Sequence, residues 1–226
     1  MNDPVLLLRL GELWLKGNNR GLFKKQLTRN LRSTLRTVSP GAELVVHHDR
    51  YTVRRLTGTT LAAAFDACAG TPGLARVIKA VPVAPDLDAV GAVALDLVRA
   101  RVGDRRPTFA VRSKRSDKRF PVGSPQINRH VAEAVLGTLE LPVDLKGAEL
   151  VLGVEIGVDE AFVWLDEARA SGGLPVGTAG RALLLLSGGI DSPVAGWLAQ
   201  KRGCSLEAVY FHSPPFIGPE SRDKVA

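Results

Sequence analysis

Six consecutive residues, Ser187-Gly188-Gly189-Ile190-Asp191-Ser192, have the types and order of an anion-binding loop. Two glycines let the chain bend where side chains would resist, serine hydroxyls flank them, and a carboxylate follows. The apolar run Leu183–Leu186 just before predicts a strand buried on both faces of a parallel sheet. Asp191 and Ser192 are placed to cap a helix with Pro193 in its first turn, continued through Val194 and Leu198 and stopped at Gly203. Leu206–Phe211 predicts a second strand. A glycine loop that opens a helix turns several backbone N–H groups and the positive helix end toward one point, which suits phosphate. A plain α/β turn is the competing reading of Gly-Gly alone. No GxxxxGK[ST] is present, no GxGxxG follows a strand, and Ser187 is not in a GxSxG elbow. A Walker-type loop, a dinucleotide fingerprint and a hydrolase nucleophile are thereby set aside.

The second concentration of chemistry is charge. Between Arg99 and Arg119 stand nine basic residues (Arg99, Arg101, Arg105, Arg106, Arg112, Lys114, Arg115, Lys118 and Arg119) against Asp104 and Asp117. That excess matches the net charge of +7 of the whole chain. A one-sided surface of this kind attracts polyanions, and the interleaved Ser113, Ser116 and Phe120 could add hydrogen bonds or a stacking face. A merely solvated charge run is the competing reading.

The preceding chain must position these features. Val5–Leu10 predicts a strand, and Arg20–Val38 a helix with Phe23, Leu27, Leu31 and Leu35 as its buried stripe. Lys25, Arg29, Arg32 and Arg36 form a basic track beside that stripe. Glu43–His47 and Arg50–Leu56 predict a hairpin, and His47 and His48 at its turn read as structural or solvated. A helix at Thr60–Ala69 completes a ferredoxin-like order. Next come a strand at Ala75–Val83, a helix capped by Asp86, a strand at Phe109–Arg112, a helix from Ser124 and a hairpin of Leu150–Ile156 with Ala161–Leu165. Glu167–Arg181, rich in turn formers, predicts a linker.

Bulk composition narrows the classes. The 226 residues are 45 % hydrophobic, ample for packed cores, and no apolar run reaches membrane length. Cys68 and Cys204 form neither a disulfide framework nor a metal motif, the four histidines share no ligand spacing with them, and a reducing cytoplasm is the expected compartment. Cys204, just after Lys-Arg-Gly, reads as a buried structural cysteine, with a functional thiol as the alternative.

The motif SGGxDS resembles the PP-loop of ATP pyrophosphatases. Together with Lys201-Arg202-Gly203 and the Ala208–Phe216 ending it resembles, more narrowly, the tRNA 4-thiouridine synthetases (the ThiI family of tRNA sulfurtransferases). The opening R-x-G-E-x-x-x-K-G-x-N-R, Arg9 to Arg20, and GGLPVG at Gly172–Gly177 are similar to the same family. F-x-V-R-x-K-R-x-x-K-x-F, from Phe109 to Phe120, with a Ser-capped helix after it, resembles the THUMP module of tRNA-modifying enzymes. The resemblance implies an α+β ferredoxin-like domain (1–59), a THUMP RNA-binding domain (60–167), a linker (168–181) and the beginning of an α/β parallel-sheet PP-loop domain (182–226). It implies ATP with Mg2+, adenylation of the uridine at position eight of tRNA, persulfide sulfur from a cysteine desulfurase, a 4-thiouridine product and sulfur supply for thiamine thiazole synthesis. Nucleotide contacts then fall on Leu185, Leu186, Ser187, Gly188, Gly189, Asp191, Ser192, Tyr210 and Phe211, with Asp191 as the catalytic residue organising the loop or the metal. RNA contacts fall on Arg112, Lys114, Arg115, Lys118 and Arg119. Family members often carry histidine at the position of Tyr210. No metal-ligand set is expected, no membrane partner is expected, and a homodimer stays open. The family continues past Phe216 into further ATP contacts and the sulfur-handling cysteine, so this chain is expected to be a fragment of a longer product or a truncated gene product. A non-catalytic tRNA-binding protein and a PP-loop ATPase acting on a small molecule are the alternative readings.

Overall fold

The computed structural model describes residues 3–12, 19–116, 118–212 and 219–225. Lys16, Gly17 and Asn18 of the opening motif, Asp117 of the basic run and the Ser213–Phe216 ending lie outside them. The elements follow in the order β1 (Val5–Leu10), α1 (Arg20–Val38), β2 (Glu43–Val46), β3 (Arg50–Arg54), α2 (Gly58–Ala69), β4 (Leu74–Val83), α3 (Leu87–Val102), β5 (Phe109–Arg115), α4 (Ser124–Leu136), β6 (Leu150–Ile156), β7 (Ala161–Arg169), β8 (Arg181–Leu185), α5 (Asp191–Lys201), β9 (Ser205–Val209) and α6 (Pro219–Val225). Seven strands form one mixed sheet in the order β2-β3-β1-β4-β7-β6-β5, and β8-β9 form a second, two-stranded sheet. The chain divides into two compact units: Met1–Leu7, Thr52–Gly58 and Ile78–Glu167 form one, and Leu8–Tyr51, Thr59–Val77 and Ala168–Ala226 the other.

In the first unit, β5 pairs in parallel with β6, and β6 antiparallel with β7. The side-chain period of two splits each strand between faces. Phe109 and Val111 of β5, with Leu152 and Val154 of β6, join Val90, Ala94 and Val98 of α3 and Ile127, Val131 and Val135 of α4 in one core. Asp86 caps α3 as its type predicts, its carboxylate accepting from the Ala89 amide at 2.9 Å. The opposite face of β7 buries Phe162 with Val5, Leu7, Ile78 and Ala80, and Trp164 packs against them. Register sets Arg112, Gly153 and Trp164 in one row across β5, β6 and β7. A Cβ at Gly153 would overlap the Trp164 indole, so only glycine lets the ring lie on β6.

In the second unit α1 buries Leu27, Leu31 and Leu35, the stripe that the four-residue spacing predicts. Each such burial stabilises by about 1.5–3 kcal/mol. The Tyr51 hydroxyl donates to the Lys24 carbonyl at 3.1 Å and meets the Thr28 hydroxyl at 3.0 Å, fixing β3 to the same helix. Residues 170–179 are hydrogen-bonded along much of their length, although turn formers dominate them. Amides of Ala170, Ser171 and Gly172 donate to Ala75, Ala69 and Leu74, and Leu174 donates to Lys201 at 2.9 Å. The Gly203 carbonyl accepts from Gly177, Thr178 and Ala179 at 2.8–3.0 Å. Gly203 itself ends the α5 turn at φ 95°, where a side chain would be strained.

Strand β8 departs from the both-faces-buried expectation. Leu183 and Leu185 are 61 % and 62 % exposed. Leu184 faces α5, where it packs at Gly196. One helix covers one face of a two-stranded sheet, and among the described residues nothing closes the other.

Replacing Gly153 by valine is expected to destabilise the protein by about 1–3 kcal/mol through overpacking. Differential scanning calorimetry reads this as a lowered thermal midpoint, and adding Trp164→Ala should recover part of the loss. A G153V chain melting with the parent would contradict the packing described.

Candidate nucleotide loop and nucleic-acid interface

Parallel pairing of β8 on β9, from Arg181↔Ser205 to Leu185↔Val209, brings two chain exits to one carboxyl edge. The Leu186 amide extends the ladder, donating to Val209 at 2.8 Å. Leu185, Leu186 and the Ser187–Gly189 turn leave β8 there, and Tyr210 and Phe211 leave β9 beside them. That is where open α/β sheets accept ligands.

Two serines brace the loop across its mouth. The Ser192 hydroxyl accepts from the Ser187 amide at 3.0 Å and shares a 3.0 Å hydrogen bond with the Ser187 hydroxyl. The Ser187 hydroxyl also accepts from the Gly189 amide at 3.4 Å, and Ser192 donates to the Ser187 carbonyl at 3.4 Å. The capping expectation changes in one respect. Ile190 is the N-cap, with no side-chain cap bond, and Asp191 is the first helical residue. Ser192 is committed to the loop and Asp191 stands exposed in the first turn, where a carboxylate suits the helix dipole. Glycine backbone, two hydroxyls and a helix start fit a phosphate chain. Among the described residues no cluster of three or more His, Cys, Asp or Glu could hold a metal.

The basic run resolves into two groups. Arg99 pairs with Asp96 at 3.8 Å, Arg101 with Asp166 at 2.6 Å, and Arg105 donates to the Arg101 carbonyl at 3.0 Å. These arginines serve the C-terminal end of α3, where cations are favoured. The second group lies on β5 and its loop. Phe109 and Val111 point into the core, and Arg112 and Lys114 are exposed on the opposite side. Lys118 and Arg119 follow, both exposed. Arg115 is turned inward to donate to the Phe120 carbonyl at 3.0 Å, which ties the loop together. The interleaved serines are likewise occupied. Ser113 donates to the Ser124 carbonyl at 3.0 Å and Ser116 to the Ile156 carbonyl at 3.2 Å. Asn128 of α4 accepts from the Ser113 amide at 2.8 Å, a loop-to-helix tie that the spacing did not announce.

Fold and loop together define a class: an α+β module with an exposed basic strand, joined to the opening of a nucleotide-binding α/β unit of the PP-loop kind. Family models match nearly the whole chain: a ThiI ferredoxin-like domain at residues 5–77, a THUMP domain at 84–166 and the thiamine biosynthesis protein (ThiI) at 177–226. A probable tRNA sulfurtransferase of Brevibacillus brevis is 39 % identical over 226 residues, covering 100 % of this chain and 56 % of the relative. Another, of Caldanaerobacter subterraneus, is 38 % identical over 98 % of this chain and 57 % of its own. Among solved structures, a 4-thiouridine synthetase–RNA complex with bound ATP superposes with a TM-score of 0.78 at 35 % identity, over 94 % of this chain and 54 % of that one. The protein PH1313 of Pyrococcus horikoshii superposes at 0.85 with 29 % identity, over 98 % of this chain and 73 % of that one. This chain belongs to the ThiI family, and it spans little more than half the length of the curated relatives it matches.

The two thiols differ sharply. Cys68 is fully buried in α2, and burial pushes its pKa up to about 12. Cys204 departs from the buried reading: it follows the end of α5 and is partly exposed, its Sγ 3.7 Å from the Ala179 carbonyl. At pH 8 only roughly one Cys68 in 10⁴ is thiolate. Iodoacetamide is expected to alkylate Cys204 in the native protein and leave Cys68 unmodified until denaturant is added. Equal labelling in mass spectra of the native chain would contradict the buried placement.

Proposed function

We propose that this chain carries the tRNA-binding and ATP-binding parts of a tRNA sulfurtransferase, which transfers sulfur to tRNA to give 4-thiouridine at position eight. The observation that carries the reading is the serine-braced loop at the carboxyl edge of β8, in one chain with the exposed row of Arg112 and Lys114. In this reading ATP binds at the loop. The uridine C4 oxygen attacks its α-phosphorus and pyrophosphate leaves. The terminal sulfur of a persulfide supplied by a cysteine desulfurase then attacks C4 and displaces AMP. A second thiol attacks the inner sulfur of the resulting disulfide, releasing 4-thiouridine and leaving a protein disulfide for an external thiol reductant to reduce. Sulfur supply for thiamine thiazole belongs to the same reading. Ser187 and Ser192 hold the loop open to the leaving pyrophosphate, and Asp191 orders the phosphates with Mg2+. Leu185, Leu186, Tyr210 and Phe211 bound the adenine end. Arg112, Lys114, Lys118 and Arg119 meet RNA phosphates, and Arg115 shapes the loop that presents them. The reading assigns the enzyme to the cytoplasm, where tRNA is modified; no described helix is long and apolar enough to cross a membrane.

A second reading rests on exposed apolar surface. Leu183, Leu185, Ile190, Trp197, Leu198 and Phe211 are 46–83 % exposed around the loop unit. Apolar surface of this extent marks a face that another element normally covers. The 226-residue chain alone is therefore expected to bind tRNA without thiolating it, even with ATP, magnesium and a persulfide donor.

Filter binding tests the central assignment. Reversing Arg112, Lys114 and Lys118 to glutamate should weaken tRNA binding and flatten its salt dependence by roughly 0.7–0.9 for each phosphate no longer neutralised. Asp191→Ala should leave tRNA affinity unchanged. An unaltered affinity and slope in the triple reversal would remove RNA binding from β5, and 4-thiouridine made by the isolated chain would overturn the second reading.

A further inference from the structure

Helix α1 carries six cations, Arg20, Lys24, Lys25, Arg29, Arg32 and Arg36, and no acidic residue. Two of them have local work. Arg20 donates to the His48 carbonyl at 3.2 Å, and the Lys24 ammonium donates to the carbonyls of His47 and His48, holding the turn between β2 and β3. The other four do not. Lys25, Arg29, Arg32 and Arg36 line a groove of about 630 Å3 between α1 and β2, floored by Leu35, Leu44 and Val46. No acidic residue lines it. Among the described residues none of the four forms an ion pair, and only Arg29 makes a side-chain hydrogen bond, to Gln26 at 3.3 Å.

Stability gives no reason for this arrangement. Spacings of four, three and four residues put the cations on one helix face, where like charges at such spacings destabilise a helix. A ligand that supplies the missing negative charge accounts for them. The row from Lys25 to Arg36 extends roughly 16 Å along the helix axis, longer than a single phosphate group. Three of the four are arginines, whose planar forks match phosphate oxygens, set above an open groove rather than a closed pocket.

We propose that the α1–β2 groove is a second RNA site, holding consecutive phosphates of one tRNA strand. The proposal rests on the reading of this chain as a tRNA-binding protein and adds a contact surface apart from β5. It also accounts for an α1 cation track that local packing leaves without a role.

The test uses the 226-residue chain and unmodified tRNA. The variant K25Q/R29Q/R32Q/R36Q should bind tRNA roughly tenfold or more weakly, with a salt slope lower by about 3, while R29K/R32K/R36K keeps most of both. Relief of like-charge repulsion should leave the glutamine variant melting no lower than the parent. In the parent, saturating tRNA should protect Lys25 from acetylation by an N-hydroxysuccinimide ester, and ATP or pyrophosphate should not. A parent that binds tRNA, with a glutamine variant of equal affinity and slope, overturns the groove and leaves the β5 assignment standing. Lys25 unprotected by tRNA, or protected equally by pyrophosphate, overturns it as well. A parent that binds no tRNA overturns the functional reading beneath it.

Discussion

The parallel pairing of β5 on β6, closed on one face by α3 and α4, is the constraint on which the exposed basic surface depends. Seven register positions, from Phe109↔Leu150 to Arg115↔Ile156, lock the two strands. Phe109 and Val111 are then committed to the α3–α4 core, and Arg112 and Lys114 to the other side. A slip of one residue would bury the cations and expose the core, at a cost no loop could offset. The hydrophobic pattern therefore aims the charges. Asn128 and Ser124 on α4, which hold Ser113, extend that control past the last core residue.

Much of this was legible in the chain itself. Leu27, Leu31 and Leu35 announce α1 by spacing, Asp86 announces the start of α3, and Gly203 the end of α5. The SGGxDS order announces a loop between strand and helix. What sequence left unread has a common physical cause: a residue type does not reveal its partners. Nine cations between Arg99 and Arg119 look like one patch, yet Arg101 is committed to Asp166 and Arg115 to a carbonyl of its own loop. Ser192 looks like a helix cap and instead bonds back to Ser187. Leu183 to Leu186 look like a buried strand, because apolar type records what a segment prefers and not what covers it. Charge summation misled in the same way. The rest of the chain balances to zero only on average, and the six cations of α1 are concentrated on one element.

The two chemistries are built by different means. At β5 the backbone register does the positioning and the side chains reach outward, which suits contact with a large, shape-recognised polyanion. At the loop after β8 the side chains position the backbone: two serine hydroxyls brace a glycine turn, the kind of preorganisation that an anion site requires. Residues 170–179, bonded to the Gly203 carbonyl at the end of α5, tie that helix to the chain leading into β8.

Hydrogen–deuterium exchange of the 226-residue chain, with and without saturating tRNA, most directly tests the claim that the outward side of β5 and its loop receive RNA. Amides from residue 112 to 120 are predicted to exchange more slowly in the complex, while those of the buried strand β6 stay unchanged. Unaltered exchange across 112–120 in a chain that has bound tRNA would contradict it.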